Sequence, residues 1–433
     1  MFFFIVNSNI NIKAINGSII TYQKPKNHQE DFLDNIYCAT YDELKSIKNI
    51  LKKINLDNNI KILDENKIRS NKNFPIELGI SNKDEFKYIQ KYENELEKSK
   101  SFITNDKNID SFTFNHTKTI LYKQLNTNKK DIKLAIIGGI GTHIGEIVNS
   151  LSAIRLLYTY LNKKFKSVKI DIYINASNNN FYLLHNNIMR KEIYINDILP
   201  LSINVKKLFE YDFFIDNSSI QNSIYYQELP FIDSYLYKFG IDYTKIDSSL
   251  KHNQLNLSWY KPNSNLVKII DNLKTKGEII LYHPYSNDNK RTIPKKSAIQ
   301  LLKKLIKKSN NSTIISTLKI DKFEDDNYID LSSYSKKYYD LVYIISQMNK
   351  IICIDTCIYH IADAFFIPTV VLFTNINPSK RIPYYLNTKA IQIKDKTKNF
   401  SQFIFDNDKL SLYKFDGYDD IKVNKVIKLL ETI

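Results

Sequence analysis

The sequence predicts an α/β protein: two tandem, doubly wound parallel sheets facing a cleft, preceded by an extra α+β N-terminal domain. Three observations carry this. At 433 residues the chain is too long for one core. Short apolar runs alternate with amphipathic segments from about residue 130, and the alternation restarts after the Pro/Asn/Ser-rich stretch "WYKPNSN" at 259 to 265. Strands that alternate with helices make parallel sheets with helices on both faces.

The opening "MFFFIV" reads as a first strand, since it lacks the basic start, long apolar middle and small-residue cleavage site of an export signal. "YDELKSIKNILKKI" follows as a helix, with Leu44, Ile47, Ile50, Leu51 and Ile54 at helical spacing. A second helix is expected in "SNKDEFKYIQKYENELEKSKSF", where Ser81 or Asn82 would cap an acidic first turn. The polar run "QLNTNKKD" places a boundary near residue 130. Then come a strand in "IKLAIIGG", a helix in "EIVNSLSAIRLLYTYLNKKF", and strands in "VKIDIYIN", "EIYIND" and "YDFFIDNS". The second alternation runs through strand "EIILYHP", helix "PKKSAIQLLKKLIKKS", strand "STIISTL", helix "YYDLVYIISQM", strand "KIICIDT", helix "CIYHIADAFF" and strand "PTVVLFT". The expected units are 1–128, 129–262 and 263–433, the last ending in a helix.

The formal charge of +16 invites a polyanion as partner, but only Arg69, Arg155, Arg190, Arg291 and Arg381 are arginines, and the rest of the basic surplus is lysine. Base and phosphate recognition favours the bidentate guanidinium, so no nucleic-acid partner is expected. The surplus reads first as the solvated surface of a Lys/Asn/Ile-biased composition, with attraction to an anionic substrate or lipid as the alternative. Three cysteines, Cys38, Cys353 and Cys357, form no disulfide framework, and no apolar run is long enough to span a bilayer. A cytoplasmic protein is expected.

Four of the nine glycines, Gly138, Gly139, Gly141 and Gly145, lie between a strand and a helix. A dinucleotide loop would put glycines there, but the next strand ends in Asn175 where an acidic residue would hold a ribose. A tight turn that packs the helix on its strand accounts for one or two of them. The cluster, with His143, also delivers Glu146 to the first turn of a helix at the cleft. That carboxylate is either a general base or an acid favoured there by the helix dipole. In "HPYSNDNKRTIP", Lys290 and Arg291 put two cations in a strand-to-helix loop, suited to a leaving diphosphate or simply solvated, and His283 ends the strand. In "CIDTCIYHIADA", Asp355 and Thr356 end a strand, Cys357 starts a helix whose N–H groups could cradle phosphate, and His360 lies one turn on. A zinc reading of Cys353, Cys357 and His360 lacks a fourth ligand, so no metal is expected.

Taken together, these stretches resemble glycosyltransferase family 9, the ADP-heptose:lipopolysaccharide heptosyltransferases, which have the GT-B fold. The resemblance covers about residues 130 to 390. It is carried by Gly145-Glu146 with Ser152-Ala153-Ile154-Arg155; by His283, Pro284, Lys290 and Pro294; by Asp355, Thr356, Cys357, His360 and Ala362 followed by Pro368-Thr369 and Leu372-Phe373; and by "YDFFIDNS". It implies inverting, metal-independent sugar transfer from a nucleotide-diphosphate donor such as ADP-heptose, with no cofactor. The implied acceptor is a lipopolysaccharide-type saccharide, lipid-linked at the inner membrane face, or a protein. Glu146 takes the place of the family's catalytic Asp; Lys290, Arg291 and the Thr356/Cys357 helix start would hold the diphosphate; Asp355, His360 and His283 would face the donor; Gly139, Gly141, His143 and Gly145 would form the cleft loop. Three positions depart from the family: Glu146 for Asp, Cys357 for Gly, and Thr292-Ile293 where an aromatic precedes the proline. A glycosyltransferase-derived binding module and an NAD(P)-binding oxidoreductase are the alternatives.

Overall fold

The computed structural model describes residues 1–13, 19–24, 32–81, 120–175, 179–218, 220–287, 291–309, 312–321, 323–374, 376–393 and 417–433. The expected helix beyond Ser81, its Asn82 cap and Lys290 lie outside the described residues.

The N-terminal strand is Phe2–Val6 (β1), whose alternate side chains Phe4 and Val6 are fully buried. After it come the hairpin of Ile10–Lys13 (β2) with Ile19–Tyr22 (β3), and the strands Ile36–Ala39 (β4) and Ile60–Ile62 (β5). The Tyr41–Lys53 helix starts on Thr40, whose hydroxyl accepts from the Glu43 N–H, and it buries Leu44, Ile47 and Leu51 as its spacing requires. These strands do not form a closed unit. Ile76–Glu77 (β6) leaves to become the edge of the next sheet, and Ile203–Asn204 (β10) returns to pair with β4, giving an antiparallel order β10-β4-β1-β5.

The first parallel sheet has the order β6-β11-β7-β8-β9, built from Asp131–Ile137 (β7), Ser167–Asn175 (β8), Asp197–Leu201 (β9) and Phe213–Asp216 (β11). Its central strands are buried on both faces: Ile136, Ile170 and Ile172 pack under the helices, while Ala135, Ile137 and Tyr173 pack against Phe3, Ile36 and Cys38 of the N-terminal strands. The expected strand in "EIYIND" lies further along the chain. Residues 192–195 are tied into turns, with Ile195 N–H donating to Glu192 O at 3.1 Å, and the ladder to β8 begins only at Asp197. Ile193 is 87% exposed, so the apolar alternation there reflects no sheet face. The true strand contains Pro200, tolerated because β9 is an edge.

The second parallel sheet has the order β14-β13-β12-β15-β16-β17, from Glu278–His283 (β12), Ser312–Ser316 (β13), Tyr328–Asp330 (β14), Lys350–Ile354 (β15), Thr369–Phe373 (β16) and Thr388–Gln392 (β17). All its pairings are parallel. Two Rossmann-like units in tandem make the GT-B arrangement. One apolar cluster runs unbroken from the helices of the first sheet to those of the second, through Ile147, Leu151, Phe231, Ile358 and Tyr359. At roughly 1.5–3 kcal/mol for each large apolar side chain buried, this shared core holds the two sheets against each other.

Candidate active site

The site lies where the Ile144–Asn162 helix of the first half meets the Cys357–Asp363 helix of the second. The glycine loop shapes this joint. Gly141 has φ +116°, and a Cβ on it would fall 2.8 Å from Glu146 Cβ. At Gly145 a Cβ would fall 2.7 Å from His360 Cδ2, so a glycine is what lets the two halves touch. The His360 ring is buried and cannot yield. Gly145→Ala is therefore expected to cost about 1–3 kcal/mol through overpacking, read as a lower denaturation midpoint; an unchanged midpoint would show that the halves are not in contact here.

Glu146 is held by three donors on Oε2: the Thr142 N–H at 2.8 Å, the Thr142 hydroxyl at 2.9 Å and the Gln221 side-chain amide at 2.9 Å. Burial alone would push its carboxyl up, but His143, 3.9 Å away, and the Thr142 N–H and hydroxyl bring it down to about 2. It is an ionised carboxylate at any working pH. Gln221 follows β11, and Asn217 in the same segment donates to Gly139 O at 2.6 Å. The segment after β11 thus braces both, the loop through Asn217 and the carboxylate through Gln221.

Opposite, Asp355 is buried at the end of β15. It accepts from Tyr359 OH at 2.8 Å, and Arg291 Nη1 stands 3.4 Å from it. Burial would raise its carboxyl; Arg291 and Arg381 nearby more than offset that, and it stays ionised. The loop carrying Arg291 is fixed by Thr292, whose hydroxyl accepts from Ser286 N–H and donates to Ser286 O, and by Tyr418 OH donating to Arg291 O. Thr356 caps the Cys357 helix by accepting from Ile358 N–H at 3.4 Å. Burial pushes the Cys357 thiol up to about 11, so it stays protonated. Among the described residues no three His, Cys, Asp or Glu side chains gather into a group that could hold a metal ion. His283 is buried, with Nδ1 2.9 Å from Thr317 Oγ1, and burial lowers it to about 4.

The structure therefore brings Gly141, Gly145, Glu146, Asp355, Cys357 and His360 to one joint with Arg291. It also adds residues the sequence did not single out: Gln221, Asn253, Tyr385 and Arg381. The Arg381 guanidinium lies 3.7 Å over the Phe231 ring, and its buried Nη1 has no hydrogen-bond partner. An arginine in a chain with only five was the available signal. At the strand end where a dinucleotide's ribose would need an acid, Asn175 instead accepts from Thr40 of the N-terminal segment at 2.8 Å.

Residues 338–404, which include Asp355, Thr356, Cys357, His360 and Arg381, match the model of glycosyltransferase family 9 (heptosyltransferase). Over these residues the chain resembles glycosyltransferase family 9. Among solved structures, the chain is similar to the family 9 glycosyl transferase of Veillonella parvula, at 11% identity over 71% of this chain and 98% of that one, with a TM-score of 0.46. It is also similar to the E. coli ADP-heptose lps heptosyltransferase II, at 14% identity over 70% and 99%, TM-score 0.46. For E. coli heptosyltransferase WaaC with ADP the figures are 11%, 70%, 99% and 0.44. No curated protein sequence matches the chain.

Proposed function

We propose that this chain is an inverting, metal-independent glycosyltransferase that moves a sugar, heptose by its family, from a nucleotide-diphosphate donor to a saccharide or protein acceptor. The observation that carries the reading is the juxtaposition at Gly145. It sets an ionised carboxylate of the first half, Glu146, against the Asp355, Arg291 and His360 group of the second.

In the proposed reaction the acceptor hydroxyl displaces one of the Glu146 donors and attacks the anomeric carbon. Its proton passes to Glu146 as the new C–O bond forms. The bond to the diphosphate oxygen breaks with its electron pair, and Arg291 meets the charge that develops on the leaving group. A carboxylate as acidic as Glu146 is a weak base in isolation, so the proton moves late, once bonding to carbon has acidified the acceptor oxygen. Lys290 is proposed to share the charge with Arg291. The net charge of +16 favours an anionic acceptor, including a lipid-linked one at a membrane face. Among the described residues, no helix is long and apolar enough to cross a membrane.

Ligand stabilisation tests the donor class. ADP at about 100 times its dissociation constant should add about 2.7 kcal/mol to the apparent stability. Stabilisation by NAD(P) and none by nucleoside diphosphates would overturn the reading in favour of an oxidoreductase. Donor uptake with no nucleotide release, across saccharide and protein acceptors, would leave a binding module.

A further inference from the structure

His360 sits at the joint of the two halves, and the position of its proton follows from its neighbours. Asn253 Nδ2 lies 3.1 Å from the His360 carbonyl oxygen. A carbonyl only accepts, so this end of the Asn253 amide is its NH2 group, and Oδ1 is at the other end. The same NH2 group lies 2.7 Å from the Tyr385 hydroxyl oxygen. Asn253 Oδ1 faces the Asn149 amide at 3.4 Å, and the Ser152 hydroxyl, 3.1 Å from His252 O and 3.2 Å from Oδ1, shares its one proton between those two acceptors. That end of Asn149 must therefore be a donor as well, and it lies 2.8 Å from the Tyr385 oxygen. Two amide donors occupy both lone pairs of that oxygen. Its single proton is left for the remaining neighbour, His360 Nδ1, at 2.5 Å.

We propose that Tyr385, backed by Asn149 and Asn253, is a positioning residue that fixes His360 as a neutral imidazole with its proton on Nε2. His360 then works as a permanent hydrogen-bond donor toward a ligand oxygen in the cleft, and not as a base or a cation. The ring edge that carries Nε2 looks toward Gly145, where a Cβ would lie 3.3 Å from Nε2. The donor thus emerges one residue before Glu146. A second proton on Nδ1 would point at a Tyr385 oxygen with no lone pair left, which blocks the imidazolium. The other groups around the ring do not enforce this state by themselves. The Asp355 and Glu146 carboxylates favour the cation, Arg381 opposes it, and Tyr359 lies alongside at 4.1 Å between ring centroids. Burial is the largest influence, and the imidazole is held down to about 3.

The acceptor of this N–H would be a sugar hydroxyl or a phosphate oxygen of the nucleotide sugar, an identification that rests on the transferase reading. The proton's position does not rest on it. The unit also spans the joint: Asn149 belongs to the first half, Asn253 to the connecting segment, and Tyr385 and His360 to the second.

The test is 15N NMR of the full chain labelled at its seven histidines, with His360→Gln identifying the resonances that belong to this ring. Between about pH 5 and 8, where an ordinary histidine titrates, His360 is expected to show a protonated Nε2, a bare Nδ1 and no titration. Tyr385→Phe removes the proton offered to Nδ1 and should mix the two tautomers, while burial keeps the ring neutral. Asn149→Leu keeps the tyrosine, frees one lone pair and should move the ring the same way, so it substitutes if the Phe variant fails to fold. A wild-type His360 that titrates in this window or carries its proton on Nδ1 would overturn the proposal. So would folded variants whose His360 signals match the wild type. Because no substrate is needed, failure of the transferase reading would leave this result standing, and the reverse also holds.

Discussion

Glu146→Gln is expected to cut sugar transfer by about 10²- to 10⁴-fold, the usual worth of a positioned general base, while ADP binding stays close to that of the unmodified chain. The amide keeps the shape and can still accept from the Thr142 N–H, so the loop stays in place; what it cannot do is take a proton. Turnover that survives the change would remove Glu146 as the base. Parallel loss of donor binding would instead assign it to holding the loop. Glu146→Asp makes a sharper comparison, because Asp is the residue the family carries here. The shorter side chain withdraws from Gln221 and Thr142, so the orientation of the carboxylate is what this variant tests.

The same variant has a pH signature. The folded carboxyl is lowered to about 2 from an ordinary 4.5. A depressed folded value means the ionised group stabilises the fold above its unfolded value and loses that contribution as pH falls through the folded one. Glu146→Gln should therefore be less stable than the wild type by roughly 2–3 kcal/mol near neutral pH, with the gap shrinking as pH falls through 4.5 and closing only near the folded value of about 2. Denaturation midpoints at the two pH values measure it. A gap that does not depend on pH would mean that the carboxylate's three donors hold the neutral form equally well.

The two parallel sheets were readable because strands covered on both faces must be apolar throughout, and few other segments of a chain with 25% charged residues can be. The displaced strand at Asp197–Leu201 shows the limit of that argument. An apolar alternation in a turn imitates a strand, while the real edge strand is disguised by Pro200. The exchange of β6 and β10 between the N-terminal and first parallel sheets left no local trace, since strand edges are paired by tertiary contact. Within the site, motif residues stood out because strand ends are where parallel sheets expose chemistry. Tyr385 is one of 30 tyrosines, and Asn253 belongs to an asparagine-rich chain; nothing in residue type separates them from surface neighbours. Arginine was different. With five in the chain, Arg291 and Arg381 both come to Asp355, so scarcity itself carried information about where a planar cation was needed.

Asp233→Ala should lower stability by about 3–5 kcal/mol, the cost of stranding a buried charge. Lys251 Nζ lies 2.7 Å from Asp233 Oδ1, and the two side chains are only 3% and 1% exposed. Tyr384 completes the group: its hydroxyl donates to Asp233 Oδ2, and its ring centroid lies 4.3 Å from the ammonium. Asp233 belongs to the Phe231–Lys238 helix of the first half, Lys251 to the segment between the halves, and Tyr384 to the second half. Removing the carboxylate leaves the ammonium with the Tyr384 ring and hydroxyl and the Tyr243 ring, 5.7 Å away, and no counter-charge within ion-pair distance among the described residues. Replacing the pair together, Asp233→Leu with Lys251→Met, removes the charge along with its partner and should recover most of the loss, since neither ion then needs to be desolvated. Denaturant midpoints of the single and double variants decide it. If the double variant is as unstable as Asp233→Ala, the cost lies in lost packing between the halves and not in the stranded charge. If Asp233→Ala costs less than about 1 kcal/mol, the pair behaves as a solvated surface contact and the halves separate there in solution.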